Sequence, residues 1–205
     1  MIKDTVKMIN QYIKDGKRIL AEGANGASLD IDHGSYPFVT SSNTTVGAVC
    51  TGLGVPPKHV ETAVAAVKAY TTRSGQGPMP TELLDKLGDK IQEKGSEWGV
   101  TTGRRRRVGW LDLNILKRGV MINGYSSLMV TKLDILSGLG DLKMMLENGE
   151  YKEFKGWDED ITSVRKFEEL PKAAQEYILF IEEYCETPVA WIGVGPARDE
   201  IIKRF

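Results

Sequence analysis

Four guanidiniums in a row, Arg104, Arg105, Arg106 and Arg107, limit where this stretch of chain can lie. Such a cluster persists only where anions engage it or water solvates it. Yet Trp110, Leu111, Leu113, Ile115 and Leu116 follow at once and read as core. The fold must therefore tie the run to a packed helix. The segment Val100-Thr101-Thr102-Gly103 leads into the arginines, so hydroxyls and a pliable backbone lie beside them. That combination suits carboxylates and phosphates, which arginine grips in a bidentate fork.

A solvated surface run, a localisation signal and a nucleic-acid patch are the plain alternatives. Composition weighs against the last. Lys and Arg number 27 against 28 Asp and Glu, and a net charge of -1 shows none of the basic excess of a nucleic-acid face. At 205 residues one domain is the default. No apolar stretch is long enough for a membrane span and no signal-peptide core opens the chain, so a cytoplasmic protein is expected. Cys50 and Cys185 have no metal or redox spacing, and His33 and His59 lie far apart, which argues against a zinc site.

Apolar spacing predicts a helix capped by Asp4, with Val6, Ile9 and Ile13 on one face and Gly16 ending it. Ile19-Leu20-Ala21 reads as a short buried strand. Further helices are expected from Pro57 (Val60, Val64, Val67), from Thr81 and Glu82 (Leu84, Leu87, Ile91) and over Leu111 to Val120. Ser127 to Val130 reads as a strand, Pro171 as a helix start carrying Tyr177, Phe180, Ile181 and Tyr184, and Val189 to Ile192 as another strand. A last helix is expected from about Ala197, and residues 147–160 as an irregular excursion. Helices alternating with short apolar strands give an α/β fold with a mainly parallel central sheet.

Thr131-Lys132-Leu133-Asp134 falls at the carboxyl end of a strand, where open α/β sheets bind ligands. It has the form with which GTP-binding proteins read guanine. A carboxylate there accepts from both N1–H and the exocyclic amine, and the lysine stem covers the base. A solvated lysine and a helix-capping aspartate are the alternative. Gly193-Val194-Gly195-Pro196 could offer backbone groups to the same base, or be a simple tight turn. In the polar segment Asp30 to Pro37 the paired carboxylates Asp30 and Asp32 could do acid–base work, but on an extended backbone they would point apart, so they read as loop-structuring. Thr40 to Thr45, dense in hydroxyls, suits a phosphate.

The segments Glu22-Gly23-Ala24-Asn25-Gly26, Leu29 to Gly34, Tyr36 to Thr45, Pro80-Thr81-Glu82-Leu83, Thr101 to Arg107, Gly109-Trp110-Leu111-Asp112 and Thr131 to Asp134 resemble, in order and in spacing, the adenylosuccinate synthetase family. Asn25 and Cys50-Thr51-Gly52-Leu53-Gly54 resemble its eukaryotic branch. The resemblance implies a P-loop-GTPase-like fold and GTP-dependent ligation of inosine monophosphate (IMP) to L-aspartate with magnesium, in a homodimer. By that resemblance Asn25, Thr40 and Arg104 bind IMP. The loop at about 100–107, with Val100, Thr101, Thr102, Gly103, Arg104, Arg105 and Arg106, closes on aspartate. Arg106, Lys132, Leu133, Asp134, Gly193, Val194 and Gly195 bind GTP, over the segments 131–134 and 193–196.

The family's phosphate loop, catalytic aspartate and catalytic histidine have no match here. Residues 1–205 are therefore expected to be the carboxyl-terminal half, with no catalytic residue of its own (Asn25 and Arg104 in supporting roles), no magnesium ligand, and no activity alone. His33 belongs to another motif and does not replace the missing acid. The region after Leu139 is shorter than the family pattern, and Ser74 stands where an apolar residue is usual. A non-catalytic guanine-nucleotide-binding or regulatory fragment is the alternative.

Overall fold

The computed structural model describes residues 3–100 and 103–205, which fall into two compact units. The smaller comprises residues up to Ala63 together with Met121–Gly124; the larger comprises Val64–Val120 and Tyr125–Phe205.

In the smaller unit α1 (Thr5–Lys14) starts as its sequence indicates, with the Asp4 carboxylate accepting from the Lys7 N–H at 3.3 Å. The Asn10 side chain bridges Val6 O at 2.9 Å and Gly54 O at 3.0 Å, tying α1 to the end of α2 (Gly47–Leu53). Gly54 is required there: its φ is +68°, and a Cβ would come within 2.6 Å of the Val6 side chain. The expected strand at Ile19–Ala21 is absent, and Leu20 is 94% exposed. Apolar character makes a strand only where a ladder partner exists, and none pairs with these residues among those described. Ile9 and Val55 are this unit's buried hydrophobic residues among those described, so its apolar core is thin.

The larger unit is built on a four-stranded sheet. β1 (Val64–Lys68), β5 (Ser127–Thr131) and β8 (Val189–Gly193) run parallel, and β9 (Ile201–Lys203) closes one edge antiparallel to β8. Two smaller sheets accompany it: β2 (Thr71–Arg73) with β3 (Arg107–Gly109), and β4 (Leu111–Asp112) with β6 (Leu142–Met145) and β7 (Tyr151–Phe154). The helices are α3 (Lys86–Lys94), α4 (Leu113–Asn123), which runs on into the smaller unit's Met121–Gly124, and α5 (Lys172–Cys185). From α5, Tyr177, Ile178 and Ile181 join Leu128, Val130, Val189 and Ile192 in the core. The α/β class with a parallel central sheet agrees with the sequence expectation.

Local expectations fail where pairing overrides spacing. The Val60–Val67 segment is a strand rather than a helix, because Val64–Lys68 pairs along β5; only Pro57–His59 makes a 3₁₀ turn. Thr81 and Glu82 serve β3 instead of starting α3: Thr81 O accepts from Trp110 N at 3.1 Å. The helix is capped by Asp85, which accepts from Leu87 N and Gly88 N at 3.0 Å each, and Leu84 stays 88% exposed. Leu111 is in β4, and Asp112 caps α4 through Ile115 N at 3.1 Å. The expected helix after Ala197 is a turn leading to β9, since the Glu200 carboxylate takes Ala197 N at 2.6 Å and returns the chain to the sheet. Residues 147–160 contain β7, joined to β6 by a turn in which Leu146 N donates to Glu150 O at 2.8 Å and Gly149 takes φ +83°.

Candidate functional site

The parallel strands β1, β5 and β8 end together at Lys68, Thr131 and Gly193, the edge at which open α/β sheets bind ligands. Directly after β5, Lys132 adopts φ +60°, an uncommon left-handed conformation for a side chain bearing Cβ. The chain turns there into a 3₁₀ segment, Leu133–Leu136, whose Leu133, Ile135 and Leu136 are buried. Packing of those three apolar residues fixes Asp134 between them. Burial raises the Asp134 pKa, and the cations Lys94 and Lys132 oppose that rise. On the next strand a Cβ at Gly193 would lie 3.4 Å from Thr131 Cα, so the two strand ends are in contact. Glu200 holds the following loop, accepting from Ala197 N at 2.6 Å and, through its backbone O, from Val194 N at 2.9 Å.

At the same edge lies Glu97, fully buried at 0% exposure. Its carboxylate accepts from Lys68 Nζ at 2.8 Å, Tyr70 OH at 2.7 Å, Arg106 Nη1 at 2.9 Å and Lys132 Nζ at 3.0 Å. Burial alone would raise its pKa, but these donors outweigh burial and hold it at about 2. Tyr70 is pushed up by burial and by the neighbouring carboxylate. Lys68 is nevertheless lowered: burial dominates, Glu97 opposes it, and Lys132 and Arg106 add like charge. Lys68 and Glu97 thus move the same way for different reasons: burial lowers the lysine, and several donors lower the carboxylate. Each cation is compensated in part; the carboxylate is compensated several times over.

The arginine run divides along its length. Arg105 donates to Gln92 Oε1 and, at 2.8 Å, to Asp89, in a pair that is 58% and 62% exposed. Arg106 reaches Glu97 through its side chain, and its backbone N bonds Glu97 O at 2.9 Å. Arg107 forks onto both oxygens of Glu82 and donates to Gly77 O at 2.8 Å; the Arg107 hydrogen bond lowers the Glu82 pKa. Arg104 is exposed, Val100 is 97% exposed, and Gly103 takes φ +62°. Gly99 N donates to Arg104 O and Gly103 N to Gly99 O, both at 2.8 Å, closing a loop whose Thr101 and Thr102 lie outside the described residues. Ser74 is exposed next to β2.

In the smaller unit Asp30 and Asp32 structure their loop, as their spacing suggested. Asp30, at 0% exposure, accepts from Asp32 N at 2.9 Å, His33 N at 3.0 Å, Thr44 N at 2.6 Å and Thr45 N at 3.4 Å. Burial opposes its ionisation, yet the four N–H donors together bring its pKa to about 2. Asp32 takes Asn43 Nδ2 at 2.7 Å. This network frames Asn25, exposed at φ +71°, and Thr40, half-buried with its N–H on Leu29 O at 2.8 Å.

Of the residues singled out from the sequence, Lys132, Leu133, Asp134, Gly193, Val194, Gly195 and Arg106 gather at one sheet edge. Glu97, Lys68 and Tyr70 were missed. One glutamate nine residues before an arginine has no spacing signature, and only folding shows that three cations converge on it. Among the described residues no three His, Cys, Asp or Glu side chains gather as a metal site. No described helix is long and apolar enough to cross a membrane.

A family model described as adenylosuccinate synthetase matches residues 1–148 and 145–202. A similar curated relative, the adenylosuccinate synthetase of Paramecium tetraurelia, is 52% identical over 223 aligned positions, covering 98% of this chain and 52% of its own length. That of Komagataella phaffii is 47% identical, with 99% and 52% covered. The chain thus spans about half the length of the curated relatives it matches. The 223 positions exceed its 205 residues, and the family match divides at 145–148, where the tight Asn148-Gly149 turn joins β6 to β7. A solved structure titled as fully ligated adenylosuccinate synthetase from Plasmodium falciparum is 43% identical with a TM-score of 0.96, covering 100% of this chain and 54% of that one. A cyanophage S-2L succinoaminodeoxyadenylate synthetase, 19% identical with a TM-score of 0.65, shares the fold. With one family model matching nearly every residue and relatives about half identical along almost the whole chain, this chain belongs to the adenylosuccinate synthetase family.

Proposed function

We propose that this chain supplies the guanine-reading and anion-gripping part of a GTP-dependent ligase that joins L-aspartate to IMP, acting as a homodimer. The observation that carries the reading is the meeting of Thr131–Asp134 and Gly193–Gly195 at the carboxyl edge of the parallel sheet, beside Arg106. In this reading the Asp134 carboxylate accepts from guanine N1–H and its amine, which adenine cannot match. The Lys132 stem covers the base, and Gly193, Val194 and Gly195 offer backbone groups to it.

In the reaction, IMP loses its N1 proton to the family's catalytic base as O6 attacks the γ-phosphorus of GTP and GDP leaves; the aspartate amine then attacks C6, loses a proton and expels phosphate. Asn25 serves the 6-oxygen edge and Thr40 the phosphate of IMP. Val100, Thr101, Thr102 and Gly103 close over aspartate, with Arg104 bridging aspartate and ribose and Arg106 bridging aspartate and GTP. Such guanidinium contacts orient the reactants and stabilise developing charge. Magnesium, when bound, would neutralise triphosphate charge. The family's phosphate loop and acid–base pair have no counterpart in these residues, so the chain alone should release no adenylosuccinate.

The test combines the 205-residue chain with IMP, aspartate, GTP and magnesium, with and without the amino-terminal half of a family member. Product only in the complemented mixture supports the reading. Turnover by the chain alone overturns its incompleteness. Guanine-selective binding with no product in either mixture favours a regulatory fragment.

A further inference from the structure

We infer that Glu97 is a positioning residue that sets the base-reading lysine and the arginine run against each other; this deepens the function proposed above and rests on it. Neutralising a buried carboxylate takes one cation, yet Glu97 receives three, Lys68, Arg106 and Lys132, besides the Tyr70 hydroxyl. The surplus positive charge weakens the core unless further anions come to it. It is explained if two of the cations are there for other partners. Lys68, which bonds both carboxylate oxygens at 2.8 Å, and Tyr70, at 2.7 Å, hold the carboxylate from β1 and the loop after it. Lys132 and Arg106 are then held by the carboxylate.

The local backbone fits that division. Lys132 Nζ donates to both Glu97 and Gly95 O, so the end of the side chain is held and the methylene stem a base would stack on is restrained. Arg106 N bonds Glu97 O at 2.9 Å, and Trp98 bridges to Arg105, so the arginine run springs from the same short hairpin that carries Glu97. Ser96 at φ +50° and Lys132 at φ +60° bring left-handed non-glycine residues to both sides of the contact. Such conformations persist where surrounding contacts over-determine them, and they cluster at ligand sites. One buried anion thereby joins two segments that the sequence separates.

The experiment measures trace acetylation of Lys132 by mass spectrometry in the 205-residue chain, titrated with GTP, with thermal unfolding recorded in parallel. In the native chain GTP should protect Lys132. In Glu97→Gln the GTP concentration for half-protection should rise about tenfold to a hundredfold, the loss expected when charge-assisted bonds no longer hold the lysine. Glu82→Gln removes a carboxylate from Arg107 and should leave the half-protection concentration unchanged. If Glu97→Gln does not fold, Glu97→Asp keeps the charge but withdraws it by one methylene, and a smaller, several-fold rise is expected. No protection by GTP in the native chain overturns the functional reading and the inference with it. Protection with the same half-point in native and Glu97 variants, whatever their unfolding temperatures, overturns the positioning role alone.

Discussion

Asp30→Asn should release the loop of the smaller unit while leaving the larger unit folded. The carboxylate is fully buried and takes four backbone N–H groups, from Asp32, His33, Thr44 and Thr45. Its pKa falls from 3.8 to about 2, because the donors outweigh a burial that by itself would raise it. A depression of that size corresponds to roughly 2 kcal/mol of stability held by the ionised form. An asparagine keeps the shape but turns an amide donor toward N–H groups that can only donate, so loss and repulsion add. Since Ile9 and Val55 are this unit's buried apolar side chains among the described residues, little else there resists the opening. Hydrogen exchange at the amides of Asp32, His33, Thr44 and Thr45 should quicken about thirtyfold or more. Asp32→Asn is the comparison: that carboxylate is exposed and takes one side-chain donor, so its change should stay within about 0.5 kcal/mol. Equal exchange in the two variants would refute the reasoning. The pH dependence has a defined sign: the folded pKa is depressed, so the stabilisation is complete above pH 3.8 and is lost as pH falls toward 2.

Substitutions that break the ion pairs of the arginine run should differ in thermal unfolding. Arg107→Leu breaks a half-buried fork onto Glu82 and should cost about 1–3 kcal/mol, while Asp89→Asn removes only the exposed charge paired with Arg105 and should cost under about 1 kcal/mol; similar losses would mark an undifferentiated surface run. Asp134→Asn should weaken GTP and strengthen xanthosine triphosphate in binding titrations, by about 2–4 kcal/mol in relative affinity, and an unchanged ranking would remove Asp134 from base reading. Gly88→Ala, which intrinsic helix propensity favours by about 1 kcal/mol, should instead lower the unfolding temperature, because the new Cβ would lie 2.2 Å from Leu83 O; a stabilised variant would show that the turn before α3 yields easily.

The chain's own residues determined what depends on short-range pattern. Asp4 and Gly16 bracket α1, Pro171 opens α5, and the β-branched and apolar runs at Ser127 and Val189 are strands wherever they pair. The Thr-Lys-Leu-Asp and Gly-Val-Gly segments were legible as strand-end loops because their polar residues follow apolar strands directly. Asp30 and Asp32 were legible as loop-structuring from their spacing. Tertiary structure decided the rest. Val64 to Val67 has spacing that suits either a helix or a strand, and pairing with Ser127–Thr131 chose the strand. Ile201–Lys203 became β9 by pairing along β8, and Leu20 stayed exposed because no strand among the described residues pairs beside it. Glu97 is the clearest case. Its three cations come from the end of β1, the turn after β5 and the arginine run, 29, 35 and 9 residues away. Periodicity and capping act over a few residues, so the sequence could display the cations but not the single buried carboxylate on which folding makes them converge.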